Sequence, residues 1–378
     1  MRKLIVAASV LALSSTTFCF GFIVALKKIP PYQQFIALKK NYLDGGGHDP
    51  NKVHPEFQQT RVKDLVKLGS TQEVAKKRSE LISLLWGRKI VPHELPIVEK
   101  GIVDDRFKGF ENLRRIDKIS CEMEFGFESI CYHFVAERRT GQLLIYHQGH
   151  RGGFDLGERF IKAFVKNGFD VVGMAMPCTG LNNSPVVELP RFGSIIIDSH
   201  DKMSLLNNGV GHPFKIFLEP VIRVVNYART LGYEQIAMAG ISGGGWTTVL
   251  SAAVDPRIQY SYSVSGSLPI YLRVGKGGYS WGDYEQTDPQ FYRVANYLEL
   301  YVLAATGNGE NSHQHTQVIN RYDPSCFSGV GYTTYEAHVV DSVSKCGKGS
   351  FNILVDETHR EHKISAFAIE HILAELSL

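Results

Sequence analysis

The sequence has no concentrated basic stretch. Its 41 Lys and Arg residues are scattered among 38 Asp and Glu, for a net charge of +3. Nucleic-acid binding needs a dense cationic footprint, so no nucleic-acid partner is expected. No internal repeat or long low-complexity tract is present, although Asp44 to Pro50 (DGGGHDP) makes a short flexible break. Metal-ligand spacing is also lacking. His147 with His150, and His313 with His315, stand close together, but no acidic or Cys partner accompanies either pair at a recognised spacing. Zinc needs three or four convergent ligands, so no metal and no cofactor are expected. What is present suits a globular protein: 378 residues, 44% hydrophobic and 21% charged, enough for a large domain with additions.

The N-terminus differs from the rest. Arg2 and Lys3 precede an almost uncharged run, Leu4 to Leu26, which Lys27 and Lys28 close. At about 1.5 Å per helical residue, that run spans a hydrocarbon core of about 30 Å. Residues 1–29 are therefore expected to be a membrane anchor or a signal segment. A cleaved signal would use Leu4 to Leu13 as its apolar part and Ser14 to Thr17 as its polar part. Against cleavage, the chain turns apolar again at Phe18, Phe20, Phe22 and Ile23. The expected location is membrane-anchored or exported. Of the six cysteines, Cys19 lies in the apolar run. Cys121 and Cys131 flank Gly126 symmetrically and are a candidate cross-strand pair, and Cys326 with Cys346 are a second. Export would permit both disulfides; buried free thiols are the alternative.

Residues 30–111 read as a helical extension, with a helix from about Thr60 to Trp86 ended by Gly87 and Pro92. From residue 112 to 378, strands alternate with helices. Two antiparallel strands, 112–123 and 127–136, surround Gly126. Strands are further expected at 142–147, 169–175, 235–239, 258–264, 298–305 and 351–355. Helices are expected at 156–166, 214–231, 244–254, 333–345 and 364–378. This alternation implies an α/β fold: a mostly parallel central sheet with helices on both faces, plus the N-terminal extension and cap insertions. Ligands of such sheets sit beyond the C-terminal strand ends.

Three stretches at those ends carry chemistry. Gly240-Ile241-Ser242-Gly243-Gly244 fits G-x-S-x-G, a sharp strand-to-helix turn that exposes a serine at its apex. A serine hydroxyl needs a base. His362, at the entry to the last helix, is the leading candidate, with His359 as the alternative. The base needs a carboxylate between residues 242 and 362 in chain order. Glu310, just past the expected strand 298–305, leads. Asp323 in Tyr322-Asp323-Pro324 is the rival acid, and Asp356 ends the wrong strand for that role. Oxyanion donors are expected from the Gly243 amide and from the loop His147-Gln148-Gly149-His150-Arg151-Gly152-Gly153, through the amide of His150 or Gly149.

With HQGHRGG after a third strand, GISGG at the turn and EHKIS before the last helix, residues 112–378 resemble the α/β-hydrolase superfamily. The resemblance implies hydrolysis through a covalent acyl-enzyme without a cofactor. The chain departs from the common pattern in having Glu310 where an Asp usually stands, and in the length of the segment from Ala305 to Thr333. Two insertions, about 179–213 and 266–297, are expected to form a cap. The aromatic residues of the second, Tyr271, Tyr279, Trp281 and Tyr284, would either pack a lid or stack on a sugar or acyl chain. The expected activity is cleavage of a carboxylic ester in a small-molecule or glycan substrate; the same machinery would serve a peptidase or thioesterase. A non-catalytic binding protein at the cell surface and a metal-dependent hydrolase are the alternatives. The sequence gives no expectation for the oligomeric state.

Overall fold

A nine-stranded sheet organises the molecule. The computed structural model describes residues 49–206, 211–273, 282–307 and 312–377. Its strands are β1 (Ile97–Ile102), β2 (Leu113–Glu122), β3 (Glu128–Ala136), β4 (Leu143–His147), β5 (Asp170–Met174), β8 (Ile236–Ile241), β9 (Tyr260–Val264), β10 (His313–Asn320) and β11 (Gly349–Asp356). They lie in the order β1-β2-β3-β5-β4-β8-β9-β10-β11. The first three are antiparallel neighbours, and β3 meets β5 antiparallel. From β5 to β11 every pair is parallel. Parallel strands are covered on both faces, and β4, β5 and β8 are buried at every residue. A small two-stranded sheet, β6 (Val186–Leu189) and β7 (Gly193–Ile196), lies in the first insertion.

The principal helices are α1 (Thr71–Trp86), α2 (Glu158–Lys166), α3 (Lys215–Thr230), α4 (Gly243–Val254), α5 (Tyr297–Ala305), α6 (Glu336–Lys345) and α7 (Ala366–Leu376). Helix α1 starts at Ser70, whose side chain accepts from the Glu73 amide, and stops at left-handed Gly87. It docks through Val74, Leu81 and Leu85. Buried Arg78 donates to the carbonyls of Ala253, Leu303 and Thr306, at the C-terminal ends of α4 and α5. The extension is thus tied to the helix that follows the candidate nucleophile.

Four expectations change. The sheet begins at β1, inside the segment read as an extension. The segment 298–305 is helix α5 rather than a strand: Asn296 and Glu299 form a reciprocal capping box, and all nine helical residues are buried. An element buried on every side has no periodicity to reveal its type. The strand of that region is instead β10, whose sequence HQHTQVIN is mostly polar. Lastly, neither cysteine pair is bonded: Cys121, Cys131, Cys326 and Cys346 are free. The β2–β3 register sets Cys121 opposite Ser129 and Ile119 opposite Cys131, because the hairpin centres on Phe125 and not on Gly126. The anchor or signal segment, residues 1–29, and Cys19 lie outside the described residues. Among the described residues, no helix is long and apolar enough to cross a membrane.

Candidate active site

Strand β8 runs straight into Ser242, which holds φ 57° and ψ −126° before α4 begins at Gly243. A non-glycine residue with positive φ is strained and persists where its surroundings demand it. Here the demand is local. The Ser242 amide donates to Val264 O at 2.9 Å, and its carbonyl accepts from the Trp246 amide at 3.0 Å. Trp246 is wholly buried and donates from its indole to the Tyr292 hydroxyl at 2.7 Å. These bonds fix the turn on both sides of the serine.

The end of β4 approaches the same turn. A Cβ built on Gly149 would lie 2.7 Å from Ser242 Cβ and 2.6 Å from Ile241 O. Only glycine lets this loop back onto the serine so closely. Gly243, the first residue of α4, has an amide that no helical carbonyl can accept. The ring of His150 packs on it: a Cβ on Gly243 would stand 2.5 Å from His150 Cε1. The expected donors Gly243, Gly149 and His150 therefore all border Ser242.

His362 sits between β11 and α7. Its loop is held by two buried polar residues at strand ends. Asn320, closing β10, donates to Lys363 O at 2.8 Å. Asp356, closing β11, accepts from the Ser365 hydroxyl and from the amide and hydroxyl of Thr358. Nδ1 of His362 meets Oδ2 of Asp323 at 2.5 Å. The other oxygen, Oδ1, accepts the amides of Ser325 (2.8 Å) and Cys326 (3.1 Å). Asp323 is thus buried and bonded at both oxygens. Burial works against protonating His362, but the Asp323 carboxylate and the Cys326 thiol outweigh it and raise its pKa above the ordinary imidazole range.

The preferred acid, Glu310, lies outside the described residues, and the carboxylate on His362 is that of the rival, Asp323. The reason is the exchanged elements. With β10 as the strand, Asp323 is the carboxylate just beyond its end. His359, the alternative base, instead points Nε2 at Asp356 Oδ2, 3.3 Å away. His147 is a buried core histidine whose Nδ1 pairs with Gln148 O at 2.9 Å. Desolvation depresses its pKa to about 4. His315 is buried against the Ser261 hydroxyl at 2.8 Å, and His313 meets Pro256 O at 2.7 Å. Neither His147 with His150 nor His313 with His315 forms a joint site.

Ser242, His362, Gly149 and His150 line one cleft of about 460 Å³. Cys326 lines it too. Its Sγ lies 3.6 Å from Ser242 Oγ, and it also interacts with the His362 ring. In the sequence Cys326 stands out only as a possible disulfide partner; its place three residues after Asp323 is the one signal of a role in the cleft. Arg151 and Arg159 bring exposed positive charge to the cleft and form no ion pair among the described residues. No described residue of the two insertions lines it. Both insertions reach the loop after β4 through the ring of His150 and its neighbours. Asp283 and Glu285 approach His150 Nε2 at 3.0 and 2.7 Å, and His200 Nδ1 lies 3.4 Å from Glu285. Desolvation lowers the His150 pKa, yet the two carboxylates overcome it and raise the pKa to about 10. Of the aromatic residues expected in the cap, Tyr279 and Trp281 lie outside the described residues. Tyr284 packs edge-on to Phe214, and Tyr271 bonds the Thr334 hydroxyl at 2.6 Å.

No family model and no curated protein matches this chain. Solved structures do. An acetyl xylan esterase from a Paenibacillus species superposes with a TM-score of 0.53 at 14% identity, covering 84% of this chain and 98% of that one. Acetyl xylan esterase 1 from a Thermoanaerobacterium species superposes with a TM-score of 0.54 at 12% identity, covering 84% and 96%. Together with the strand order and the serine at the β8–α4 turn, these likenesses establish that the chain has the α/β-hydrolase fold.

Proposed function

We propose that this protein is a serine hydrolase that cleaves a carboxylic ester through an acyl-enzyme on Ser242. One observation carries the reading: a serine held at positive φ shares a cleft with a histidine whose Nδ1 is bonded to a buried carboxylate. Asp323 fixes the Nδ1–H tautomer of His362 and leaves Nε2 to take the serine proton. Ser242 Oγ then bonds to the ester carbonyl carbon. The resulting oxyanion is held by the Gly243 amide and that of His150 or Gly149. Collapse breaks the bond to the alcohol, which leaves with the proton from His362. Water attacks the acyl-serine, His362 takes its proton and returns it to Oγ, and the carboxylic acid departs.

Two kinds of observation support a substrate class. The similar solved structures are named as acetyl xylan esterases, which supports an ester, including a glycan ester, as substrate. The exposed guanidinium groups of Arg151 and Arg159, which form no ion pair among the described residues, further favour an ester carrying a negative charge. The test compares p-nitrophenyl acetate with the p-nitrophenyl monoester of succinic acid. Turnover of both is expected to vanish in Ser242→Ala. KM for the succinyl ester alone is expected to rise several-fold in Arg151→Ala and Arg159→Ala. Undiminished turnover by Ser242→Ala contradicts the mechanism, and equal KM changes for both esters contradict the charge preference.

The same proposal puts the enzyme at a membrane or outside the cytoplasm. The support is the basic pair Arg2–Lys3 and the uncharged run Leu4 to Leu26. N-terminal sequencing of the mature protein separates an anchor from a cleaved signal.

A further inference from the structure

Behind the oxyanion loop, four potential metal-ligating groups from three distant segments converge. They are His150 of the loop, His200 in the short helix His200–Met203 of the first insertion, and Asp283 and Glu285 of the second. We propose that His150 Nε2, His200 Nδ1 and Glu285, joined by Asp283, bind a divalent cation of the zinc class. Each of the three principal ligand atoms lies within 4.8 Å of the others. The separations are 2.7 Å from His150 Nε2 to Glu285 Oε1, 3.4 Å from that oxygen to His200 Nδ1, and 3.0 Å from His150 Nε2 to Asp283 Oδ2. A tetrahedral zinc shell with bonds of about 2.0 Å sets its ligand atoms about 3.3 Å apart. Two imidazoles and two carboxylates make a nitrogen and oxygen donor set that suits zinc.

Two further observations bear on a cation at this cluster. The first is the tautomer of His200. Its Nε2 lies 3.1 Å from the carbonyl of Pro177, which can only accept, so Nε2 carries the hydrogen. In the neutral ring, Nδ1 then turns a lone pair toward a carboxylate oxygen. Two lone pairs face each other unless a second proton on the ring or a metal ion stands between them. A second nitrogen bonded to a backbone carbonyl is also the usual arrangement behind a metal-bound histidine. The second observation is Glu285 itself. It is fully buried, and its Oε2 has no hydrogen-bond partner among the described residues. A buried carboxylate oxygen left bare is costly, and a cation held by both oxygens removes that cost.

The site is a staple rather than the reaction centre. It joins both insertions to the loop that borders Ser242, and it holds the His150 ring on Gly243. The ligands come from residues 150, 200, 283 and 285, so no local motif announces them. The proposal departs from the expectation of no metal, which rests on local ligand spacing in the sequence.

The test is metal binding by the full chain, which does not depend on the esterase reading. Protein loaded with zinc and freed of excess by gel filtration is expected to retain about one zinc per chain. Cobalt(II) in its place is expected to give the strong visible absorption of a tetrahedral centre. Ser242→Ala is expected to bind as the wild type does, whereas His200→Ala and Glu285→Gln should lose at least tenfold in affinity. Wild-type protein that retains no metal, or cobalt(II) with only weak octahedral absorption, overturns the proposal. So does unchanged affinity in both variants. If either variant fails to fold, the wild-type cobalt spectrum decides alone.

Discussion

At the scale of single residues, the account turns on Asp323 rather than Glu310. Asp323 is buried, bonded at both oxygens and set against Nδ1 of His362. Asp323→Asn is therefore expected to lower kcat by roughly 10⁴-fold, through the wrong imidazole tautomer. Glu310→Gln should leave kcat within about threefold of the wild type, well below the factor of 10² or more that loss of acid–base catalysis brings. The pH profile gives a second check. His362 acts as a base only when neutral, and Asp323 and Cys326 raise its pKa. Activity must then be lost as pH falls through a value above the ordinary imidazole pKa of about 6.5. Cys326→Ala should move that acid limb downward while sparing turnover, because the thiol holds the imidazole as well as the serine. A limb at or below the ordinary value in the wild type, or one unmoved in Cys326→Ala, contradicts this assignment.

At the scale of elements, the two misread segments explain which parts of the site were legible. The G-x-S-x-G turn and the histidine before α7 depend on short local patterns, and both could be read directly from the sequence. The acid could not, because it depends on which segment is the strand. Helix α5 is apolar on every side and looks like a buried strand. Strand β10 looks like a loop because its residues are mostly polar; they are nevertheless buried, and several bond to distant partners. Gln317 donates to Ser267 O at 2.7 Å and accepts from the Tyr335 hydroxyl at 2.7 Å; His315 pairs with Ser261. Hydrogen bonds cancel the desolvation cost that usually keeps such residues outside. The Asn296–Glu299 capping box was the available sign that α5 is a helix. Arg78 gives this scale its own test. It serves the C-terminal carbonyls of both α4 and α5, where a cation also suits the helix dipoles. Arg78→Ala should destabilise the fold by roughly 2–4 kcal/mol, since it strands buried carbonyls. Urea unfolding measures this, and a loss under about 0.5 kcal/mol, the level of an ordinary surface substitution, would contradict the role given to Arg78.

At the scale of the whole molecule, the parallel sheet brings the ends of β4, β8, β10 and β11 to one edge, and the segments after them carry the 148–153 loop, Ser242, Asp323 and His362. The overall fold was legible because strand–helix alternation survives errors in single elements. The cluster of His150, His200, Asp283 and Glu285 was not, because only tertiary packing joins it. The described residues of the insertions meet the loop after β4 through His150 and do not line the cleft. The most direct test is to quench the enzyme during turnover of p-nitrophenyl acetate and locate the acyl group by peptide mass spectrometry. The account predicts one acetyl group on the peptide carrying Ser242, absent in Ser242→Ala and still formed in Cys326→Ala. An acetyl group on Cys326 alone, or hydrolysis with no covalent adduct, would contradict it.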